Sequence, residues 1–532
     1  MGEDVRMALA SAGRKKRKKK CRTVKRTKLL RGKRKTVKVR KCRPKRKPPV
    51  LAPAKASPPA PAMAPAPAPA AAPPPPTAPP PARLTTITSP IGVYAGPFGP
   101  AQAERLLWRA GCGPRAGQVA AVAAMDLEAA VMSLTRPSGE PVMDGPEPTV
   151  DGEPLDPYGE WFGDTLYWFD RLVRSRHQLV ERLALVFHDW WATSNDVVGS
   201  TEFMFEQTNL FRTHGLGSFA AMVRAVTTGR AMLLFLDAIT NRKGAINENY
   251  GRELMELFTL GADRGAYTES DVRELAKALS GWRADWVPGA GWTDFRWEQA
   301  DRWDPTVKTV FGQSGRFTWE DACRLVVQHP QHASFFVGKL WSYFIPTPPS
   351  ADVAARLEAA YVASGHQIRP IVEAILCSPE FYEGPRMTKP PAVIAAGMAR
   401  ARSLPIDGQG WVWFPGAAGQ RLYYPPDVSG WDDKRWLDTN TVRARWELIN
   451  EVMRGQSITS ATWDGYPEES AAQAVANARA FWLDPALTDA TVASLHEFSA
   501  GGVPANPSPR LRAQRQNALR QLVAASPDYQ TC

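Results

Sequence analysis

Residues 14–47 form an almost unbroken run of Lys and Arg, including RKKRKKK at 14–20 and KRTKLLRGKRK at 25–35, and residues 48–82 are nearly all Pro and Ala. A run of mutually repelling charge with few apolar side chains cannot bury a core, so residues 1–47 are expected to form a disordered basic tail. The Pro/Ala segment favours an extended polyproline II spacer of about 3.1 Å per residue, or roughly 100 Å in all. Together these two stretches confine any globular fold to residues 83–532.

Charge divides at the same boundary. Residues 1–82 hold 24 Lys and Arg against 2 acids, which leaves 42 basic and 51 acidic residues for the remainder. The sequence pI of about 9.5 therefore describes neither part, and polyanion binding is expected of residues 14–47 rather than of the folded domain. Dense Lys and Arg release counterions on meeting nucleic acid, anionic lipid or an anionic wall polymer, with little sequence preference. The bland alternative is a solvated run with no dedicated partner. The six cysteines are far apart, with no C-x-x-C pair, and are expected as free thiols. No stretch reaches the roughly 18 apolar residues of a membrane-spanning helix, and no apolar signal-peptide region follows the first basic residues.

Beyond residue 85 Trp and Leu recur at helical intervals, which predicts a mainly α, multi-helical domain with long Trp-, Gly- and Pro-rich loops. In residues 174–191, Val180, Leu183, Phe187 and Trp190 share one face, predicting an amphipathic core helix. Asn247 is expected to cap a second helix that ends at Gly261, and Thr268 with Asp271 forms a T-x-x-D capping box for a third. Further helices are predicted at 319–328, 333–344, 352–364 and 368–377, with loops at 281–317 and 404–435.

Helical geometry then selects candidate site residues. Asn249, Glu253 and Glu256 fall at i, i+4 and i+7 beside the apolar face of Tyr250, Leu254 and Phe258, and Glu181 aligns with His188 seven residues on. If helix packing brings those edges together, His188, Glu253 and Glu256 could act as acid and base or hold a divalent metal. The same carboxylates could instead be ion-paired, with Arg252, Arg182 and Arg273 available, and simply lock helices in register. His329 and Lys339 frame a helix entrance at HPQHASFFVGK, with His332 as a second imidazole. Trp286, Trp292, Trp297, Trp303, Trp411, Trp413 and Trp431 could stack on sugar rings or pin their own loops. No P-loop, nucleophile elbow, dinucleotide fingerprint or H-E-x-x-H zinc motif is present.

One block, INENYGRELMELFTLGADRGAYTESDVRELAKALSGW at 246–282, carries a wider resemblance, echoed by AERLLWRAGCGP at 103–114, ERLALVFHDWWATS at 181–194 and LFLDAITNRKGA at 234–245. WDPTVKTVFGQSG at 303–315, HPQHASFFVGKLWSYF at 329–344 and YYPPDVSGW at 423–431 continue it. Over about residues 95–450 the chain resembles the domain of unknown function 1800 (DUF1800) family, leaving 451–532 as a C-terminal helical extension. The resemblance implies a helical bacterial protein without an established activity, often exported and often encoded beside a sulfatase-like companion. It suggests export or the cell envelope, although no signal peptide is visible and a cytoplasmic location stays open. Where relatives carry His-Asp-x-x-x-Lys, Trp303 precedes Asp304 here and the loop reaches Lys308. Asn249, Asp304, Lys308 and Trp431 are the ligand-contact candidates. Two functions are expected from different classes: a tethered helical domain with an enzymatic interhelical pocket, or a non-catalytic binding or scaffold protein of the envelope.

Overall fold

The computed structural model describes residues 20–30, 33–43, 86–159, 162–501, 504 and 506–532. The chain divides into two compact units, 1–81 and 82–532. In the first, the backbone of Lys20–Leu30 pairs antiparallel with Lys33–Arg43, setting Lys25 opposite Lys38 and Lys28 opposite Lys35. β-Branched Thr23, Val24, Thr36 and Val37 supply strand propensity that the charge count hides. A lone two-stranded ribbon is marginal in water, and like charges opposite one another weaken it further, so this pairing provides no core. The remainder of the basic run and the Pro/Ala spacer lie outside the described residues.

The second unit is mainly α, with helix accounting for 54% of the chain against small strand pairs only. Its interior has two apolar cores. One gathers Trp190, Trp191, Phe219, Phe258 and Phe336; the other gathers Trp168, Phe169, Tyr423, Trp482 and Tyr529. The Gln178–Trp190 helix runs between them, giving Leu183, Phe187 and Trp190 to the first core and Leu185 to the second. It is therefore buried on nearly all sides, Glu181 and His188 included, rather than on the single stripe that its apolar spacing predicts.

Capping follows local chemistry. Glu248, not the expected Asn247, is the N-cap of Asn249–Glu253, and Asn247 accepts the Asn249 N–H from one residue earlier; the helical segment ends before Gly261 at φ +88°, and Thr268 with Asp271 forms the expected box at the start of Glu269–Ala278. Helices at Trp319–Val327, His332–Ser342, Ala351–Ala363 and Ile368–Cys377 lie within two residues of their predicted bounds. The region 281–317 departs from expectation: Trp282–Val287 pairs with Gly291–Trp297, and Lys308–Val310 with Gln313–Gly315. Glycines at positive φ, Gly289, Gly291 and Gly312, turn these ribbons tightly. The helices Ala471–Phe481 and Pro509–Ala525 contribute Val475 and Leu519 to the second core, so they are integral to it. Among the described residues no helix is long and apolar enough to cross a membrane. Cys112, Cys323, Cys377 and Cys532 are buried free thiols.

Candidate functional site

His188 sits among rings. Its imidazole lies 5.1 Å from Trp168, 5.6 Å from Trp431 and 5.8 Å from Tyr423, centroid to centroid, and neither ring nitrogen has a hydrogen-bond partner among the described residues. Burial pushes its pKa down to about 3, so the ring is neutral. Glu181, aligned with it by sequence, is ion-paired to Arg171 at 2.9 Å and to Arg212 at 2.9 Å.

Glu253 and Glu256 lie half-buried where the Asn249–Glu253 helix widens into the π-helical turn Leu254–Thr259, and Asn249 is exposed. Arg252 does not pair with either; it bonds Glu269 at 2.7 Å and Glu248 at 3.2 Å. Burial, and then the neighbouring Glu256, raises the pKa of Glu253. The helices carrying His188 and these carboxylates meet through other residues: Trp190 Nε1 donates to the Leu257 carbonyl at 3.1 Å, and Trp191 stacks on Phe258 at 4.4 Å. Among the described residues no group of three or more His, Cys, Asp or Glu side chains is arranged to hold a metal.

Asp304 and Lys308 hold their own loop. The Asp304 carboxylate accepts the Thr306 N–H and hydroxyl at 2.8 and 2.5 Å, while Lys308 donates to the Asp304 and Thr306 carbonyls and lies over the Trp303 ring. His332 bonds the Thr259 carbonyl and the Tyr361 hydroxyl, and His329 Nδ1 accepts the Gln331 N–H. Of the loop tryptophans, Trp286 is 61% exposed at the tip of its ribbon, whereas Trp431 is only 6% exposed.

Trp431 borders a cavity of about 410 Å³. Three of the recognisable sequence blocks meet there. The last turn of Gln178–Trp190 supplies Asp189, with Arg182 seven residues before it on the same helix. The end of His332–Ser342 supplies Lys339, and Tyr343 follows one turn on. The loop 426–436 closes the wall with Gly430, Trp431 and Asp433. Tyr343 donates its hydroxyl to Asp189 Oδ2 at 2.7 Å, and the Trp431 N–H donates to Oδ1 at 2.7 Å. Gly430, at φ +95°, lets the loop approach this closely, because a Cβ there would overlap the Asp189 carbonyl and carboxylate oxygens.

Electrostatics in the cavity are uneven. Burial raises the Asp189 pKa although two hydrogen bonds oppose it, and burial lowers that of Lys339 although Asp189 and Asp433 oppose it. Burial likewise pushes Arg182 down. Arg182 donates to the Arg109 carbonyl at 3.3 Å, yet neither it nor Lys339 makes an ion pair among the described residues. Two cations thus face a water-accessible space without a contact carboxylate. The signal for Asp189 is present in the sequence: Arg182 and Asp189 have the same seven-residue spacing as Glu181 and His188. Choosing between the two pairs needs the position of the neighbouring core, which spacing does not contain.

Residues 105–531 match the family model described as "Protein of unknown function (DUF1800)", and the chain belongs to that family. The match extends through the C-terminal helices, beyond the segment where the resemblance is read from the motifs. No curated protein and no solved structure matches the chain.

The environment of His188 yields a stability prediction. A buried donor and acceptor without partners cost about 1–3 kcal/mol, so His188→Leu should raise folding stability by an amount of that order, measured by urea unfolding at pH 7. A loss of that size instead would show that the ring nitrogens hold something in the folded protein. The pH dependence has a definite sign. His188 and His332 are both held near 3 against 6.5 for a free imidazole, so between those values the unfolded chain binds more protons. Their contribution is complete above about pH 6.5 and is lost as pH falls toward 3. His188→Leu should flatten that acid slope.

Proposed function

We propose that the domain binds a small polar ligand in the Asp189 cavity and acts on it by proton transfer. The observation that carries this reading is the meeting of Asp189, Tyr343 and Lys339 from two helices in one accessible cavity, with the lysine free of any contact carboxylate among the described residues. Burial moves the carboxyl up and the amine down, toward the neutral range in which an acid and a base both work. Trp431 and Trp436 offer flat apolar walls against which a ligand can be held. His188 supports this site from behind, through its ring contact with Trp431, and is not itself a ligand contact. The Glu253–Glu256 edge is a second, weaker candidate: neither carboxylate makes an ion pair among the described residues, and Glu256 shares a separate cavity with Arg252, Arg264 and Tyr267. In this proposal the basic residues 14–47 tether the domain to a polyanion at the cell envelope.

The test is a thermal-unfolding comparison against glucose, N-acetylglucosamine, glycine, pyruvate and succinate. A ligand at 100 times its Kd stabilises the folded state by about 2.7 kcal/mol. At least one chemical class should raise the unfolding temperature of the wild type, and Asp189→Asn, folded by circular dichroism, should lose that response. A response kept in full by Asp189→Asn would count against the cavity.

A further inference from the structure

Lys339, half-buried, is unusual among the enclosed cations of this domain, and Arg182 lines the same cavity. Others are matched locally: Arg212 and Arg171 share Glu181, and Lys389 donates to the Tyr529 carbonyl beneath the rings of Trp108 and Tyr529. Lys339 has no hydrogen-bond acceptor among the described residues, and its amine lies 5.9 Å from the Tyr343 ring centroid at the cavity wall. Arg182, on the facing helix, spends one donor on a carbonyl and turns to the same space. A guanidinium presents several donors in a planar fork suited to a carboxylate or phosphate. A lysine in a half-apolar wall is suited to a different task, since its amine can become neutral and attack a carbonyl.

We propose that Lys339 is a nucleophilic amine that condenses with an aldehyde or ketone bearing an anionic group, with Arg182 holding the anion. This deepens the cavity reading and rests on it. The nitrogen lone pair forms the new bond to the carbonyl carbon, the carbonyl oxygen takes up a proton, and the resulting carbinolamine expels water as the nitrogen loses a proton. One water leaves, and nothing is oxidised or reduced. Asp189 supplies and recovers the proton, and the Tyr343 hydroxyl, donating to Asp189 at 2.7 Å, fixes which carboxyl oxygen faces the ligand. Burial favours the neutral amine even with Asp189 and Asp433 nearby. Asp427, Asp432 and Asp433 also line the cavity, beside Ser342, Gln420 and Ser429, so with Lys339 neutral the cation left to receive an anionic group is Arg182.

The experiment uses the full chain with pyruvate and sodium cyanoborohydride at neutral pH, followed by peptide mass mapping. Reduction would fix the imine as a carboxyethyl-lysine. Labelling of Lys339 in several-fold excess over every other lysine, absent from that site in Lys339→Arg, is the expected result. Acetone, which lacks the anion, should label Lys339 several-fold less. Even labelling across the lysines, or none at Lys339, overturns the covalent step, and equal labelling by acetone overturns the role of Arg182. Should Lys339→Arg fail to fold, the wild-type map and the acetone comparison still decide. A failed trap beside a ligand response that Asp189→Asn abolishes would remove the imine and leave the cavity reading intact.

Discussion

Replacing Glu181 with Ala should cost the domain about 3–5 kcal/mol of folding stability, because it strips the carboxylate from two guanidinium groups that remain inside. Glu181 is 1% exposed by side chain and bonds Arg171 and Arg212 together. Both arginines come from neighbouring helices, Gly163–Arg174 and Thr201–His214, so the carboxylate joins three helices at one point. The penalty arises from the uncompensated charges left behind rather than from the strength of the ion pair, and Glu181→Gln, which keeps two hydrogen-bonding atoms, should cost less. Urea unfolding of the wild type and both variants measures this directly. An Ala variant within about 0.5 kcal/mol of wild type, as an ordinary surface site would be, would show that the arginines reach water without Glu181.

Gly430→Ala should have the second large effect, and it acts on fold and site together. The φ of +95° is one that a side chain adopts only with strain, of about 1–2 kcal/mol. A Cβ would also push the loop off Asp189 and break the Trp431 N–H bond to its carboxyl, a further loss of about 1–3 kcal/mol. The variant should therefore unfold at lower urea and lose ligand stabilisation even where it remains folded. Wild-type stability with an intact ligand response would mean that the loop is not held against Asp189.

Much of the fold was legible in the sequence because its signals are local. The capping box at Thr268, the stop at Gly261 and the helix Ile368–Cys377 depend on residues within a few positions of one another. The ribbons at 282–297 were hidden by their own composition: Trp, Gly and Pro suggest a loop, while the cross-strand pairing of Trp282 with Trp297 and of Trp286 with Trp292 is a relation between segments. Of the helices bordering the cavity proposed here, the spacing argument names Gln178–Trp190, through His188, the neighbour of Asp189. In a helix buried on nearly every side, His188 and Asp189 are equally plausible at the edge, and only the aromatic wall of Trp168 and Tyr423 separates them. Trp431 was legible as a flat surface, but its backbone bond to Asp189 was not. Lys339 was visible as a polar residue near a helix entrance; that it lacks a partner is a property of the packed structure.

The most direct test compares the ligand response of three folded variants, Asp189→Asn, Glu253→Gln and Glu256→Gln, with wild type by thermal unfolding against the same small-molecule set. The account predicts that Asp189→Asn abolishes the response while the two glutamate variants keep it. Loss of the response in Glu253→Gln or Glu256→Gln, with Asp189→Asn unaffected, would place the site on the other helix edge and contradict the assignment of the Asp189 cavity.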